Sequence, residues 1–315
     1  MRLGLTPEHK QFGDAVAGLL EAHGGAEDVW ERLAGLGVPA VLVPEEHEGA
    51  GGDEVDLLAV LEQAGRAALG EPVVEAAVAA RLLSGIGGDL AAEWLPRLAS
   101  GEALVVAAPG PYVPHADRAG LVLVGEGGAW YAVEPEAGSL TVQRSLDPLR
   151  RLSAVRVPEG SVPVAEGALA AEAFDRGAAL TAVQLVGVAR RLVDFAVRYA
   201  GERSQYGRPI GSFQGLQHQI ADALVDVEFA RPAAYKAAYA LAKGEAEASL
   251  DASGAKALAS DAALHAAKVS LQVHGAIGYT MELDLHRWLR RAWSLASAWG
   301  DASHHRRAVA AKLIG

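Results

Sequence analysis

Two short segments decide the fold of this chain: Glu202-Arg203-Ser204-Gln205-Tyr206-Gly207 and Gln272-Val273-His274-Gly275-Ala276-Ile277-Gly278-Tyr279. Each is polar or rich in glycine, and each interrupts a long run of helical periodicity. Because the terminal amides and carbonyls of a helix have no partner within it, such turns leave backbone groups free to bind an anion. The two segments therefore predict connections at the end of a helical bundle whose backbone groups can bind an anion.

The helices on either side of these segments are long. Apolar residues at helical spacing run from Leu169 to Ala200, and at 1.5 Å per residue this helix spans roughly 45 Å. Further helices are expected from Phe213 to Leu241, from Ala246 to Val273 and from Leu283 to about Ala298. Four long helices with short connections predict an antiparallel four-helix bundle, which forms a C-terminal domain over residues 163–315.

The rest of the chain divides in two by its periodicity. Residues 1–101 are helical in pattern and begin with Thr6-Pro7-Glu8, a typical N-cap, initiating proline and early acid. Short β-leaning runs such as Ala103–Ala108 and Leu121–Val124 fill residues 102–162, separated by Pro and Gly. We expect a mainly α protein of three domains: an N-terminal helical domain, a small middle antiparallel β domain and the C-terminal four-helix bundle.

Composition excludes several functions. The 315 residues are 51% apolar, include no Cys and carry a net charge of −11, so disulfides, thiolate metal sites and a basic nucleic-acid surface are not expected. No apolar stretch is long enough to span a membrane, and Met1 to Lys10 lacks the apolar core of a signal peptide. The pair His304-His305 has no carboxylate at metal-ligand spacing, so we expect no metal. These features predict a cytoplasmic globular protein without nucleic-acid or membrane partners.

On the two quoted segments, the chain resembles the acyl-CoA dehydrogenase family. The family motif Glu-Arg-x-x-Phe/Tyr-Gly resembles Glu202 to Gly207 with one extra residue, and Phe213-Gln214 follows at about the expected distance. The family motif Gln-x-x-Gly-Gly-x-Gly-Phe/Tyr matches Gln272 to Tyr279, with Ala276 in place of one Gly. The resemblance covers nearly the whole chain, and it implies the same order of helical domain, β domain and four-helix bundle.

The resemblance implies FAD as cofactor, with its ADP half held at a subunit interface by these two turns. Arg203 would pair with the FAD pyrophosphate through its forked guanidinium, Tyr206 would pack against the dinucleotide, and Gln214 would address the adenosine portion. Gln272 and the backbone at Gly275 and Ala276 would approach the ADP moiety closely. The FAD-binding residues implied by the family are therefore Arg203, Tyr206, Gln214, Gln272, Gly275 and Ala276.

Each of these residues also has a purely structural interpretation. Arg203, near a helix C-terminus, is placed to offset the helix dipole. Gln214 suits a helix cap, and Gly275 suits a helix C-cap. Because both family motifs occur in register, we favour contact with FAD.

The general base of the family is missing. Its reaction removes a proton next to a thioester and passes a hydride to flavin, which requires a positioned Glu at one of two family positions. The resemblance places Trp299 in the first of these positions and Gly177 in the second, and neither side chain accepts a proton. The β segment that lies near flavin in the family corresponds here to Val106–Tyr112, which lacks its acidic and small hydroxyl groups. The sequence thus predicts no catalytic residue in this chain.

Two carboxylates lie close in sequence to the positions where the family has its catalytic Glu. Asp175 precedes Gly177 by two residues, about 200° around the helix, and is expected to face elsewhere as a solvated first-turn acid. Asp301 follows Trp299 by two residues and is a candidate for a relocated base. It equally suits the N-cap of the last helix.

The sequence therefore predicts a subunit that keeps the ADP clamp and lacks the reacting end. We expect a heteromeric acyl-CoA dehydrogenase, an α2β2 heterotetramer, in which a larger catalytic subunit supplies the base and most of the acyl-CoA site. The resemblance includes the short partners of dehydrogenases that act on CoA thioesters of bulky acids such as steroid side chains. Two alternatives are a homo-oligomeric flavoenzyme with Asp301 as base or a base-free elimination, and a structural subunit with a vestigial flavin site.

Overall fold

The computed structural model describes residues 4–136 and 140–314. The N-terminal region is helical, as predicted, and Thr6 caps its first helix by accepting a hydrogen bond from the His9 backbone. A long Gly-containing loop separates the second and third helices. The helices are α1 (Pro7–His23), α2 (Val29–Gly35), α3 (Leu58–Arg66), α4 (Val73–Ile86) and α5 (Gly88–Ser100).

The middle region contains two small three-stranded sheets. Their strands are β1 (Leu104–Ala108), β2 (Tyr112–Pro114), β3 (Ala119–Glu126), β4 (Ala129–Val133), β5 (Thr141–Val142) and β6 (Leu152–Ala154). One sheet has the order β1-β3-β4 and the other β2-β6-β5. The expectation of a purely antiparallel region is wrong for one pair, because β1 and β3 run parallel, with Val105 opposite Leu121. The short β2 segment between them passes into the other sheet, which allows β3 to return in the same direction as β1.

The C-terminal region forms the predicted helical bundle. Its helices are α6 (Gly167–Glu202), α7 (Gln214–Ala242), α8 (Ala248–His274), α9 (Leu285–Ser297) and α10 (Ala302–Ile314), and the two-residue strands β7 (Ser204–Gln205) and β8 (Arg208–Pro209) join α6 to α7. The buried faces of α7 and α8 consist largely of Ala, which lets the helix axes approach closely. The expected fold class, mainly α with a small β region in the middle, is confirmed. The domain limits at residues 101 and 162 stay a prediction.

The N-terminal helices pack directly on the bundle. Gly65 of α3 and Gly187 of α6 lie against each other's backbone: a Cβ on Gly65 would lie 2.8 Å from the Val188 nitrogen, and one on Gly187 would lie 2.9 Å from the Glu62 carbonyl carbon. Apolar side chains of all three regions belong to one continuous buried core. This close contact positions α6 between the N-terminal helices and the rest of the bundle.

Two buried arginines tie the three regions together. Arg291 of α9 donates to the Asp147 carboxylate from the middle region and to the Leu69 carbonyl from the N-terminal region. Arg176 of α6 donates to Glu54 at 2.7 Å, and Arg81 of α4 donates to the same Glu54 oxygen at 3.1 Å. Burial lowers the pKa of Arg291, which the charge of Asp147 opposes. No helix in the described part of the chain is long and apolar enough to cross a membrane.

Candidate functional site

The two segments that the sequence singled out lie at the same end of the bundle. Tyr199, in the last turn of α6, stacks on His274, the last residue of α8, with ring centroids 4.4 Å apart and planes inclined by 26°. The His274 ring is fixed further by a 2.7 Å hydrogen bond from Nδ1 to the Ser270 carbonyl. Because Arg203 follows α6 and Gly275 follows α8, this stack brings the starts of the two turns together.

The first turn is a tight hairpin that presents an aromatic ring to solvent. Tyr206 and Gly207, between β7 and β8, have φ values of 53° and 78°, the pair of positive angles typical of a two-residue hairpin turn. The Tyr206 side chain is 92% exposed and touches Phe213 only edge-on, at 6.2 Å between centroids. The Arg208 guanidinium covers the Phe213 ring at 4.3 Å. The hairpin therefore holds Tyr206 outward, where a flat ligand or a neighbouring chain would contact it.

Arg203 is anchored through its backbone while its side chain remains free. Its amide donates to the Tyr199 carbonyl at 2.9 Å, and its carbonyl accepts from Ile210 at 2.8 Å. The guanidinium is exposed and has no carboxylate, carbonyl or ring partner within the described residues. Gln214 is the exposed first residue of α7, where Phe213 rather than Gln214 is the N-cap. Both side chains are thus available to a ligand outside this chain.

The second turn exposes backbone at the end of α8. Gly275 caps the helix with φ 61° and ψ −138°, a conformation open only to glycine, and its amide donates to the last carbonyls of α8. A Cβ at Gly275 would meet nothing within 4 Å in this chain, so the backbone conformation requires the glycine and crowding does not. Gln272 and Ala276 flank it and are exposed. The C-cap interpretation of Gly275 is correct as geometry, and it leaves the outer side of the turn open.

Gly177 and Trp299, which the resemblance assigns to the two positions of a catalytic Glu, lie against each other. A Cβ added to Gly177 in α6 would lie 2.6 Å from Cε2 of the Trp299 indole and nearer still to Cδ2 and Cε3. Trp299 lies in the turn between α9 and α10, is 2% exposed and has a φ of 55°. The indole therefore occupies the volume into which a side chain at position 177 would project.

Aromatic rings surround this indole. Trp130 of β4 stacks beside it with ring centroids 6.2 Å apart, and Phe174 of α6 meets it edge-on at 6.3 Å. The Trp130 Nε1 group donates to the Ala170 carbonyl at 3.1 Å, which fixes that ring on α6. An aromatic cluster therefore surrounds the position that the resemblance assigns to the carboxylate. Sequence reasoning missed Trp130, because no local spacing links β4 to α6.

Two buried polar residues hold the Trp299 turn. Lys256 of α8 donates to Ser260 Oγ at 3.2 Å, to the Ala296 carbonyl at 3.0 Å and to the Gly300 carbonyl at 2.9 Å. Burial lowers the pKa of Lys256 to about 7. The signal for this residue was a Lys inside an Ala-rich helix, at a position that the helical periodicity places on the buried face. It was not recognised from sequence.

His305 of α10 completes the support. Its Nε2 lies 2.8 Å from the Trp299 carbonyl, and its Nδ1 lies 3.2 Å from Ser253 Oγ. Because a carbonyl only accepts, Nε2 carries the proton and Nδ1 accepts from the Ser253 hydroxyl. Burial lowers the pKa of His305 to about 4, so the ring is neutral near pH 7. This engaged, buried ring is not a solvated residue at a helix start, and among the described residues no group of three or more His, Cys, Asp or Glu side chains could hold a metal.

The two nearby carboxylates differ in environment. Asp301 is exposed, and its Oδ1 accepts a 2.7 Å hydrogen bond from the His304 amide, as an N-cap of α10 does. That hydrogen bond lowers the pKa of Asp301. Asp175 is half-buried, and burial raises its pKa, so it is not the solvated acid that its position suggested.

A cleft of about 400 Å³ opens beside Trp299. Its walls come from the loop between β1 and β2, from Phe174 and from the α9–α10 turn. At one edge, the buried Glu75 is paired with Arg150 at 2.8 Å. Proline, glycine and aromatic residues dominate the surface, and the cleft offers no unpaired carboxylate as a base. Its described lining residues are Glu75, Ala108, Pro109, Gly110, Pro111, Tyr112, Pro114, Arg150, Leu152, Phe174, Ser297, Ala298, Trp299, Gly300 and His304.

Comparison with known families assigns both helical parts of the chain, on either side of the small β region, to one class of enzyme. Residues 6–102 match the acyl-CoA dehydrogenase N-terminal domain, and residues 166–314 match the acyl-CoA dehydrogenase C-terminal domain. The chain is 32% identical over 312 residues to the acyl-CoA dehydrogenase IpdE2 of Mycobacterium tuberculosis, covering 91% of this chain and 92% of that protein. The chain belongs to the acyl-CoA dehydrogenase family.

Solved structures share the fold at lower identity. The ChsE4–ChsE5 complex from Mycobacterium tuberculosis contains a chain that superposes with a TM-score of 0.89 at 22% identity, covering 100% of this chain and 99% of that one. An acyl-CoA dehydrogenase from Bacillus anthracis, solved with FAD, superposes with a TM-score of 0.86 at 18% identity, covering 98% of this chain and 68% of that one. The architecture is therefore shared both with a chain from a two-protein complex and with an FAD-containing member of the family.

Proposed function

We propose that this chain is the non-catalytic subunit of a heteromeric, FAD-dependent acyl-CoA dehydrogenase. It contributes the clamp for the ADP half of FAD, and a larger partner subunit contributes the catalytic Glu and most of the acyl-CoA site. The assembly we propose is an α2β2 heterotetramer in the cytoplasm that dehydrogenates the CoA thioester of a bulky acid, such as a steroid side chain.

The observation that carries this proposal is the filled base position. Abstraction of a proton next to a thioester requires a carboxylate in reach of the substrate. The indole of Trp299 fills the space beside Gly177, and aromatic rings line its surroundings. Asp301 is exposed and accepts a hydrogen bond from the His304 amide, which lowers its pKa and weakens it as a base. The geometry therefore favours a base supplied by another chain over the Asp301 alternative.

The chemistry of the clamp fits the ADP half of FAD. Arg203 offers an unpaired guanidinium, whose fork matches phosphate oxygens, and Gln272 offers an exposed amide near the end of α8, where the Tyr199–His274 stack joins α8 to α6. The open backbone at Gly275 leaves room for close approach of a ligand. When bound, the flavin would accept the hydride, while the residues of this chain bind and orient its distal half. Exposure of all six clamp residues suits a cofactor that lies between two subunits.

The partner follows from the same arrangement. The clamp lies at the bundle end, while Trp299 closes the cleft beside the β region, so one chain offers a binding surface without its own reacting group. The fold likeness to a chain of the ChsE4–ChsE5 complex supports a two-protein assembly. The relative IpdE2 is itself described as an acyl-CoA dehydrogenase, which supports the reaction class of the complex.

The test is expression of this chain alone and together with a candidate larger subunit. We expect the lone chain to purify without the absorbance at roughly 450 nm that is typical of flavins. We also expect it to show no dehydrogenase activity towards acyl-CoA substrates. Coexpression should give a yellow complex whose native mass corresponds to two copies of each chain and which reduces an artificial electron acceptor. A lone chain that carries stoichiometric FAD and turns over acyl-CoA would refute the proposal.

Three variants test which subunit of that complex supplies the catalytic base. In the complex, Trp299→Phe should leave activity largely intact, because this position is not the base, whereas replacement of the partner's catalytic Glu by Gln should abolish it. Asp301→Asn should also leave activity unchanged. A large loss of activity in the Asp301→Asn variant would instead support Asp301 as a relocated base.

A further inference from the structure

A second set of cationic side chains surrounds two aromatic rings of α6 and α9. Phe195 and Trp288 meet edge-on, with centroids 4.9 Å apart. The Arg191 guanidinium covers Phe195 at 4.6 Å and Trp288 at 5.6 Å, and Arg287 covers Trp288 at 5.5 Å. Arg198 lies over Phe195 at 5.2 Å. Three guanidinium groups thus converge on one apolar pair.

None of these three guanidinium groups has an anionic partner. Within residues 4–136 and 140–314, Arg191, Arg198 and Arg287 make no ion pair and donate no side-chain hydrogen bond. Arg191 Nε is buried without any acceptor. Burial and the neighbouring charges of Arg66 and Arg198 lower the pKa of Arg191. The charges of Asp194 and Glu21 act on Arg191 in the opposite direction, without an ion pair or hydrogen bond to it. In a chain of net charge −11, a cluster of three guanidinium groups without a directly bound anion requires a cause.

The helix ends nearby do not provide that cause. The C-terminal ends of α1 and α3 lie beside Arg191, and cations there commonly serve the last carbonyls of a helix. No such hydrogen bond forms in the described chain, and the Arg66 carbonyl at the end of α3 accepts from Trp288 Nε1 at 2.8 Å instead. The donors of Arg191 therefore remain free for a ligand.

The arginines line a concave space large enough for one. A cleft of about 680 Å³ lies between α1, α3, α6 and α9, with Arg66, Arg191 and Arg287 in its wall and small residues of the α1–α2 connection opposite. Among its described lining residues, Glu21 is the one carboxylate. Asp194 pairs with Arg66 at 2.8 Å but does not line the cleft. A second cleft of about 510 Å³ shares Arg191 and Trp288 and also contains Arg198, but it includes Glu202, Glu282 and Asp284. Positive charge therefore dominates the cleft between α1, α3, α6 and α9, but it does not dominate the cleft that contains Arg198.

We propose that the cleft between α1, α3, α6 and α9 binds a phosphate-bearing anion through Arg191 and Arg287. A guanidinium donates two parallel hydrogen bonds to phosphate oxygens, and two unpaired guanidinium groups match a group of two or more negative charges. Arg203, Gln214 and Gln272 do not line this cleft, so the site is separate from the FAD clamp. Free pyrophosphate and the phosphates of a nucleotide share this chemistry.

Calorimetric titration of the full chain with pyrophosphate and with ADP tests the site. We expect saturable binding of one pyrophosphate per chain, weakened by high salt. The double variant Arg191→Gln/Arg287→Gln should lower the affinity by roughly tenfold or more, because two charge-assisted hydrogen-bonding groups are lost. The control Arg306→Gln/Arg307→Gln changes the net charge equally on the distant helix α10 and should bind as the unmodified chain does.

The outcomes separate the sources of the anion and the rival explanations. ADP binding tighter than pyrophosphate assigns the site to a nucleotide, and equal affinities assign it to free phosphates. Absence of saturable binding at low salt, or equal weakening in both double variants, refutes the site. Binding of an acidic peptide in place of both phosphate probes would also refute it, in favour of a protein partner. If the double variant fails to fold, the single variant Arg287→Gln gives the same comparison against Arg306→Gln.

A further measurement keeps this proposal distinct from the proposed function. The flavin content of the coexpressed complex should not change in Arg191→Gln/Arg287→Gln, because the clamp is elsewhere. Loss of flavin in that variant would show that these arginines bind FAD, and the separate site would be refuted while the subunit role stood.

Discussion

Gly177 and Trp299 give a sharp test of the filled base position. The substitution Gly177→Ala should destabilise the chain when residue 299 is Trp and stabilise it when residue 299 is Ala. Replacing Gly177 by Ala places a methyl group 2.6 Å from Cε2 of the indole and closer to two other ring atoms. The ring is 2% exposed and flanked by Trp130 and Phe174, so it has little room to move. The methyl group should therefore force a strained rearrangement in the otherwise unmodified chain.

The magnitudes come from two opposing effects. Gly177 lies in the interior of α6, where Ala is favoured over Gly by about 1 kcal/mol. Overpacking of a tight core typically costs about 1–3 kcal/mol, and the contact here is closer than side chains normally make. The difference between the two effects predicts that Gly177→Ala destabilises the chain by up to about 2 kcal/mol. In a Trp299→Ala background, itself destabilised by about 3–5 kcal/mol through the lost ring, the same methyl group enters a cavity and should stabilise by about 1 kcal/mol.

The assay is urea unfolding followed by far-ultraviolet circular dichroism, since fluorescence would respond to loss of the tryptophan itself. The control is Gly254→Ala in α8, where an added Cβ meets nothing within 4 Å. That substitution should stabilise slightly in both backgrounds. If Gly177→Ala behaves as the control does, with equal effects whether position 299 is Trp or Ala, the two positions do not abut and the argument for a filled base position fails.

The remaining predictions concern the clamp and the turn. In the coexpressed complex, Arg203→Gln should lower flavin content with the assembly intact, whereas Arg306→Gln should not; equal flavin in both would remove Arg203 from the clamp. Because burial lowers the pKa of Lys256 to about 7 from 10.5, the unfolded chain binds more protons between those values. Stability should rise with pH across that window by up to about 1.4 kcal/mol per unit, and Lys256→Met should abolish the rise in urea titrations. Because the pKa of His305 falls from 6.5 to about 4, stability should decline as pH drops through that interval, and acid unfolding of His305→Gln should lack this component.

Periodicity predicted what local pattern determines. The helix expected from Leu169 to Ala200 is observed as α6, Gly167–Glu202, and the one expected from Ala246 to Val273 is α8, Ala248–His274. Long amphipathic stripes fix such helices almost independently of their neighbours. The parallel pairing of β1 with β3 was not predictable in this way, because strand order depends on contacts between distant residues.

In the site too, features set by neighbouring residues were predictable from the sequence, whereas contacts between residues far apart in sequence were not. The hairpin at Tyr206 and the cap at Gly275 follow from local backbone preferences, and the sequence motifs located both. The meeting of Gly177 with Trp299 joins residues far apart in sequence, and the resemblance indicated their common role without their contact. Lys256 escaped notice because a single buried charge is justified only by the three acceptors that surround it in three dimensions.

The loss of the base and the retention of the clamp that we propose are compatible, because the two features face different physical demands. A buried carboxylate is expensive to desolvate and stabilises nothing unless it is paired, so a chain whose partner supplies the base gains stability by replacing it with an apolar ring. Burial of an indole removes roughly 150–250 Å² of surface from water, worth a few kcal/mol. The clamp side chains are exposed and unpaired, and surface groups of that kind contribute little to folding. Trp299 therefore has a sufficient explanation within this chain, whereas the Arg203 guanidinium has no side-chain partner in its described part until a ligand or a second subunit approaches it.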